Sequence, residues 1–260
     1  MSSSSIIRIA STNIRFANPA DGINDWPMRL PLWSRLINEF DPVVMGTQEG
    51  RQPQLLEAER SLKNLSLVHA HREWISERMY PCVFYNPNKV KLHRSGDAWL
   101  STTPEVAGSK DFESAFPRLC TWIEAEIVDT KKKFFFVNTH LDHVKDETRS
   151  SQIEVLIQTI EQENSNHYPV ILCGDFNEEP TGIVRSKIDQ SLKLLDPWLI
   201  FDQAEETSHH KFCGENPDGA RIDWILYDKS IKPVSICLDK SHQDKLWPSD
   251  HFIVKAEIKI

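Results

Sequence analysis

Gly174-Asp175-Phe176-Asn177 follows the apolar run Val170-Ile171-Leu172, and Ser249-Asp250-His251 stands ahead of a last apolar stretch. A carboxylate and an amide two residues apart, just past a buried strand, present oxygen ligands and hydrogen-bond donors at a sheet edge. An Asp-His pair adds a metal ligand and an acid, a base or a phosphate clamp. Asn13, Gln48-Glu49 and Asn138-Thr139-His140 also end apolar runs. Together these pieces point to hydrolysis of a phosphate ester. Such esters resist water, monoesters needing up to roughly 10²¹-fold acceleration. A hard cation, Mg²⁺ or Mn²⁺ in its place, takes carboxylates, amides and water and neutralises phosphoryl and leaving oxygens. A positioned carboxylate that orients or deprotonates water contributes about 10²–10⁴ in rate. Histidine and asparagine donors stabilise the developing charge.

Each residue also has a plainer reading. Asn13 and Asp175 suit turns in which the side chain bonds its own backbone; Glu49 suits a solvated loop, and His140 a locally satisfied ring. If their strands continue, His140 with Asp142, and Asp175 with Asn177, fall on shared faces, with Phe176 turned away. Asp223 resists the plain reading. It is an acid in the otherwise apolar Ile222-Asp223-Trp224-Ile225-Leu226, and a buried carboxylate needs a partner. His251 is the partner expected, since a carboxylate on one ring nitrogen fixes the tautomer and favours the charged ring.

The elements that position these residues follow from periodicity. Ile6 to Ile9 is a strand leading to Asn13, and Leu32, Trp33, Leu36, Ile37 and Phe40 mark one helical face that stops at Asp41-Pro42. A strand from Val43-Val44 then reaches Glu49. Shorter strands are expected at Leu65–Val68, Cys82–Tyr85, Val90–Leu92 and Trp122–Val128. The second half repeats the rhythm: strand Phe134–Val137, a helix marked by Ile153, Leu156, Ile157 and Ile160, then strand Val170–Leu172. Asn13 to Glu49 spans 36 residues and His140 to Asp175 spans 35. Two such halves packed sheet against sheet, helices outside, would gather their polar ends at one rim. Phe252 to Ile260 alternates cleanly with period two.

The bulk properties set bounds. The 260 residues carry no Pro/Gly/Ser-rich linker, so residues 1–260 read as one domain. Apolar and charged fractions of 40% and 26% are those of an ordinary globular protein. No apolar run has membrane-spanning length, and Met1 with its four following serines lacks the pattern of a secretory leader. Five scattered cysteines without a C-x-x-C suit reduced thiols and a cytoplasmic setting. A net charge of −8 argues against gripping long stretches of nucleic-acid backbone, though carboxylates that hold a cation contribute to that charge.

In order along the chain, Thr12-Asn13, Gln48-Glu49, Asn138-Thr139-His140-Leu141, Gly174-Asp175-Phe176-Asn177, Arg221-Ile222-Asp223 and Ser249-Asp250-His251 resemble the motifs of the endonuclease/exonuclease/phosphatase superfamily. The resemblance covers nearly the whole chain and is to a small, stand-alone member. It implies an α/β four-layer sandwich of two packed mixed sheets flanked by helices. It implies that Glu49 and Asp250 bind Mg²⁺ (or Mn²⁺) with Asn13 beside it, and that Asp175 activates the water while Asn177 holds it or a phosphate oxygen. His251, oriented by Asp223, would contact the scissile phosphate, and His140 would stabilise the transition state. His140 stands where AP endonucleases carry a tyrosine, and Ala220 where they carry a tryptophan, so repair of abasic sites is not expected. Arg118 is a phosphate clamp or a surface arginine.

The expected activity is a Mg²⁺-dependent phosphodiesterase, a nuclease or nucleotide phosphodiesterase, acting as a monomer on a phosphorylated substrate away from membranes. The alternatives are a phosphomonoesterase of a small molecule and a silent phospho-ligand binding module, the latter expected to have lost Glu49 or Asp250. Lys131-Lys132-Lys133 is expected to be a solvated hairpin tip. Trp74, Trp99, Trp122, Trp224 and Trp247 should be core or rim, with one or two near the site able to stack a base. His209-His210 with Cys213 matches no standard zinc spacing and reads as a flexible loop near the substrate.

Overall fold

The structure, a computed structural model, describes residues 6–260; the Met1–Ser5 start lies outside the described residues. The first half holds β1 (Ile6–Asn13), α1 (Trp26–Phe40), β2 (Val44–Gly50), α2 (Gln52–Ser61), β3 (Ser66–Leu67), β4 (Tyr80–Tyr85), β5 (Val90–Trp99) and β6 (Leu119–Ile127). The second holds β7 (Lys133–His140), α3 (Asp146–Glu163), β8 (Val170–Asp175), α4 (Ile183–Ser191), α5 (Pro197–Ile200), β9 (Asp223–Tyr227), β10 (Lys232–Asp239) and β11 (Ile253–Lys259). Among these helices none is long and apolar enough to cross a membrane.

Two mixed sheets result, ordered β10-β11-β1-β2-β4-β3 and β5-β6-β7-β8-β9. In each, the parallel pair is the one joined through a helix: β1 with β2 across α1, and β7 with β8 across α3. This is the two-halved rhythm expected from the sequence. The inner faces meet in an apolar layer that includes Ile9, Val44, Val83, Ile123, Phe134, Phe136, Ile171 and Ile225. The outer face of the first sheet packs Ala10 and Met45 on Trp33, Leu36 and Leu55 of α1 and α2. The outer face of the second packs Phe135, Val137 and Leu172 on Ile153, Leu156 and Ile188 of α3 and α4. The molecule is therefore a four-layer α/β sandwich.

Local chemistry sets the element ends. The Asp25 carboxylate caps the Trp26 N–H at 2.7 Å, Pro27 sits in the first turn of α1, and Asp41 ends the helix in a left-handed conformation. Between the sheets, Gly46 faces Asn138 and Cys173; a Cβ there would lie within 2.8 Å of the Asn138 side chain. Asn138 fills that gap with polar bonds, accepting from Gln48 Nε2 at 2.6 Å and donating to the carbonyls of Thr47 and Cys82 at 2.8 Å.

Several boundaries differ from the sequence reading. β5 runs seven residues past Leu92 to Trp99, because a bulge between Leu92 and Arg94 restores its pairing with β6. β10 was not anticipated: it pairs only with β11 at the sheet edge, and its exposed Lys232, Ser235 and Cys237 break the apolar signal. Lys133 belongs to β7, so only Lys131 and Lys132 lie outside the strands there.

Candidate active site

The polar ends of the four central strands lie at one rim. In the first sheet Asn13 is in register with Gln48, and in the second His140 with Asp175. One side chain ties the rims together: Asn13 Nδ2 donates to Asp175 Oδ2 at 2.9 Å and to Glu49 Oε1 at 3.3 Å. Its Oδ1 accepts from the Arg15 N–H at 2.9 Å. Asn13 is thus engaged within the protein on both sides of its amide and orients two carboxylates. Glu49 Oε2 also accepts from the Phe16 N–H at 3.2 Å. Arg15, Glu49 and Asn177 all have positive φ, 48°, 66° and 51°, so three left-handed positions lie at this rim.

Asp175 ends β8, and the strand does not continue. Asn177 turns left-handed, its N–H donating to Asp175 Oδ1 at 3.0 Å, so the expected shared strand face is replaced by a tight turn. The turn itself aims both side chains at the cleft, while Phe176 stacks on Trp224 in the outer layer, centroids 4.3 Å apart. Asn177 Nδ2 donates to the Leu141 carbonyl at 3.1 Å, leaving its Oδ1 and one amide proton for water or phosphate. Gly174 makes this approach possible, since a Cβ would lie 2.2 Å from the Thr139 carbonyl oxygen.

Asp142 also departs from expectation. β7 ends at His140, and Asp142 turns into the loop, accepting from the N–H groups of Ala115, Val144 and Lys145. Its role is to hold that loop. His140 remains at the rim, Nε2 at 3.5 Å from Asp175 Oδ2. Burial, then the charges of Arg118, His251 and His143, lower its imidazole well below the ordinary value, so the ring is neutral.

His251 behaves oppositely. Its Nδ1 bonds Asp223 Oδ2 at 2.8 Å, and Nε2 faces Asp175 Oδ2 at 3.9 Å. Burial disfavours the ring cation, but Asp223, Asp175 and Asp250 outweigh it and raise the imidazole well above its usual value. The Asp223–His251 pairing expected from the sequence is present. Asp223 sits at the first position of β9 rather than inside it, opposite Asp175. Ser208, which carried no sequence signal, donates from its hydroxyl to Asp223 Oδ2 at 2.6 Å and accepts from the N–H groups of Ile222 and Asp223. Burial and the Asp223 charge push the Asp175 carboxyl up to about 6, against the pull of His251, Asn13 and the Asn177 N–H.

Asp250 completes the rim. Ser249 anchors its loop by donating to the Asn13 carbonyl at 2.5 Å and reaches Asp250 Oδ1 at 3.2 Å. Among the described residues no donor comes within hydrogen-bond distance of Asp250 Oδ2; Arg15 Nε and His209 Nε2 both stop at 3.8 Å. Burial raises the carboxyl, but the two imidazoles, His209 and His251, and Arg15 together hold it well below the carboxylate range. A buried, ionised carboxylate with an uncommitted oxygen, lining the same cleft as Glu49, has the hard-oxygen chemistry of a divalent cation site. Two buried or half-buried triads offer ligand atoms within 4.8 Å of one another: His209, Asp250 and His251, and Asp175, Asp223 and His251. In the second the imidazole already bonds Asp223.

The cleft over this rim has a volume of about 420 Å³. Its walls carry Phe16 and Phe116 and the guanidinium groups of Arg15, Arg51, Arg78 and Arg118. Arg118 is buried, not a surface arginine. Among the described residues its one hydrogen bond is to His143 Nδ1 at 3.3 Å, its Nε has no partner and no carboxylate pairs with it. No tryptophan lines the cleft; Trp99, Trp122, Trp224 and Trp247 are buried.

Residues 10–251 match the model of the Endonuclease/Exonuclease/phosphatase family. No curated protein matches the chain. Among solved structures, an endonuclease/exonuclease/phosphatase family protein of Bacteroides thetaiotaomicron superposes with a TM-score of 0.89 at 26% identity, over 99% of this chain and 96% of that one. A mannosyl-6-phosphatase of the same organism gives 0.87 at 26% identity, over 98% and 100%. At 16% identity, D. rerio TDP2 complexed with a single-strand DNA product shares the fold, with a TM-score of 0.77 over 98% and 100%.

Proposed function

Since the chain belongs to the endonuclease/exonuclease/phosphatase family, whose members are phosphoester hydrolases, we propose that it is a metal-assisted phosphatase acting on the monoester of a small polyol such as a sugar. The observation that carries the substrate class is Arg118, a buried guanidinium with no carboxylate partner, facing a cleft of about 420 Å³. Burial lowers its guanidinium, and Asp175, Glu49 and Asp142 counter that only without direct contact; a buried charge without a direct partner is costly. A phosphate monoester, with roughly −1.5 to −2 charge at neutral pH, compensates Arg118 better than a singly charged diester does. The volume falls in the small-molecule range of about 300–1,000 Å³, and the net charge of −8 disfavours a polymeric anion. The likeness to a mannosyl-6-phosphatase at 26% identity supports the same choice over the nuclease ranked first from sequence.

The residues divide the work. Glu49 and Asp250, with Asn13 orienting Glu49, would hold the cation. When bound, a divalent ion neutralises charge on the phosphoryl and leaving oxygens. Asp175, pushed up to about 6, is poised to take a proton from water near neutral pH, and Asn177 Oδ1 accepts that water's second hydrogen bond. The charged His251 donates from Nε2 to a phosphoryl oxygen, its tautomer set by Asp223. The neutral His140 and Arg118 donate to the remaining oxygens.

The reading is tested by phosphate release from hexose 6-phosphates, p-nitrophenyl phosphate, bis(p-nitrophenyl) phosphate and single-stranded DNA in Mg²⁺. The monoesters should turn over at least tenfold faster than either diester. A preference for the diesters would reject it.

A further inference from the structure

The sequence pattern His209-His210…Cys213 looks like a soft-metal site and fails as one. Cys213 is exposed, its thiol directed to the Lys211 carbonyl. His210 is buried against Trp247 and Phe252, its Nδ1 accepting from the Gly214 N–H. His209 is left, and it is not on a loose loop. It forms an antiparallel bridge with His251, and its carbonyl accepts from Thr207 Oγ1 and Asn216 Nδ2, each at 3.0 Å. On either side, Ser208 is clamped to Asp223 and the His210 N–H donates to the Asp250 carbonyl. The imidazole is held by stacking on His251, centroids 4.5 Å apart and planes at 23°.

So placed, His209 Nε2 stops 3.8 Å from the uncommitted Asp250 Oδ2. That gap is too long for a hydrogen bond. Two ligands of one cation with bonds of about 2.0–2.2 Å lie about 3.0–3.5 Å apart at octahedral or tetrahedral angles, so the two atoms need to close by only about half an ångström to share an ion. His251 is the other imidazole within reach, but Asp223 and the phosphate employ it.

We propose that His209 is a ligand of the active-site cation, joining Asp250 and Glu49, and that this nitrogen gives the site a preference for a borderline cation such as Mn²⁺ over Mg²⁺. Oxygen-only shells suit Mg²⁺, whereas imidazole favours transition ions. The inference rests on the metal-assisted reading above, but not on the substrate.

The test is direct binding of Mn²⁺ and of Mg²⁺, without substrate, to the full chain, His209→Phe and a surface control, His93→Ala. Phenylalanine keeps the ring stack on His251 and removes the nitrogen; circular dichroism and melting check the fold, and His209→Gln serves if the phenylalanine variant does not fold. The wild type should bind Mn²⁺ at least about tenfold more tightly than Mg²⁺. His209→Phe should lose about tenfold in Mn²⁺ affinity and change Mg²⁺ affinity less than twofold, with His93→Ala unchanged. The ¹⁴N coupling in the pulsed electron paramagnetic spectrum of bound Mn²⁺ should weaken in His209→Phe. Unchanged Mn²⁺ affinity, or equal losses for both ions, overturns the assignment of His209 alone. A wild type that binds neither ion overturns the metal-assisted reading with it.

Discussion

In the proposed mechanism Asp175 has to be buried among charges and still be basic enough to take a proton from water. Asp223 and burial lift its carboxyl to about 6, while His251 and the Asn13 and Asn177 donors keep it from rising further. The same Asp223 keeps His251 charged, so one carboxylate favours the protonated form of both neighbours. Asp223→Asn removes both effects without changing size. We expect kcat to fall by about 10²-fold or more, with the melting temperature little changed; a variant within threefold of wild type would leave Asp223 without its orienting role. The Asp223–His251 pairing could be read from sequence because a buried acid demands a partner. Ser208 could not, since a hydroxyl that accepts two N–H bonds looks like any loop serine.

At the scale of elements, α1 holds the Asp250 loop in place through one arginine. Arg29 is fully buried and donates to the carbonyls of Asn24, Ile14, Arg15 and Pro248, the last just ahead of Ser249. Burial lowers its guanidinium to about 10, and Asp250 and Asp21 counter the fall. Arg29→Ala strands these carbonyls, each costing about 1–3 kcal/mol, so denaturant unfolding should show a loss of roughly 3 kcal/mol or more. A second buried pair bridges β4, β5 and the loop before β4: Asp97 takes both Arg72 Nε and Nη2 at 2.6 Å. Burial opposes its ionisation, yet Arg72 and His71 pull the carboxyl down to about 2. Its folded value is below its unfolded one, so the stability it supplies is present above about pH 4 and lost as pH falls toward 2. The difference amounts to about 2 kcal/mol. Asp97→Asn should therefore be less stable than wild type at pH 6, with the gap narrowing between pH 4 and 2; a gap constant with pH would contradict this. The helix-joined strand pairs were legible because strands buried on both faces read as unbroken apolar runs. Arg29 and the edge strand β10 were not, because a buried arginine and a half-exposed strand carry polar residues that mimic a surface.

For the whole molecule, packing two sheets face to face brings strand ends 162 residues apart into contact, as in the Asn13–Asp175 hydrogen bond. The order of the motifs disclosed that convergence, and the topology confirms the four-layer arrangement. The cleft's aromatic and cationic walls were not legible: Phe16, Arg51, Arg78 and Phe116 come from separate loops with no shared spacing. On the proposed reading, those walls, around a buried Arg118, fit the phosphoesterase rim to a small molecule. The central claim is that Asp175 directs water at the phosphorus of such a monoester with a divalent ion in place. Its most direct test is the rate of inorganic phosphate release from a hexose 6-phosphate in Mg²⁺ or Mn²⁺, measured for wild type and Asp175→Asn with and without chelator. Wild type should release phosphate, chelator should stop it, and Asp175→Asn should be slower by at least about 10²-fold. Equal rates for the two proteins, or release that survives metal removal, would contradict the account.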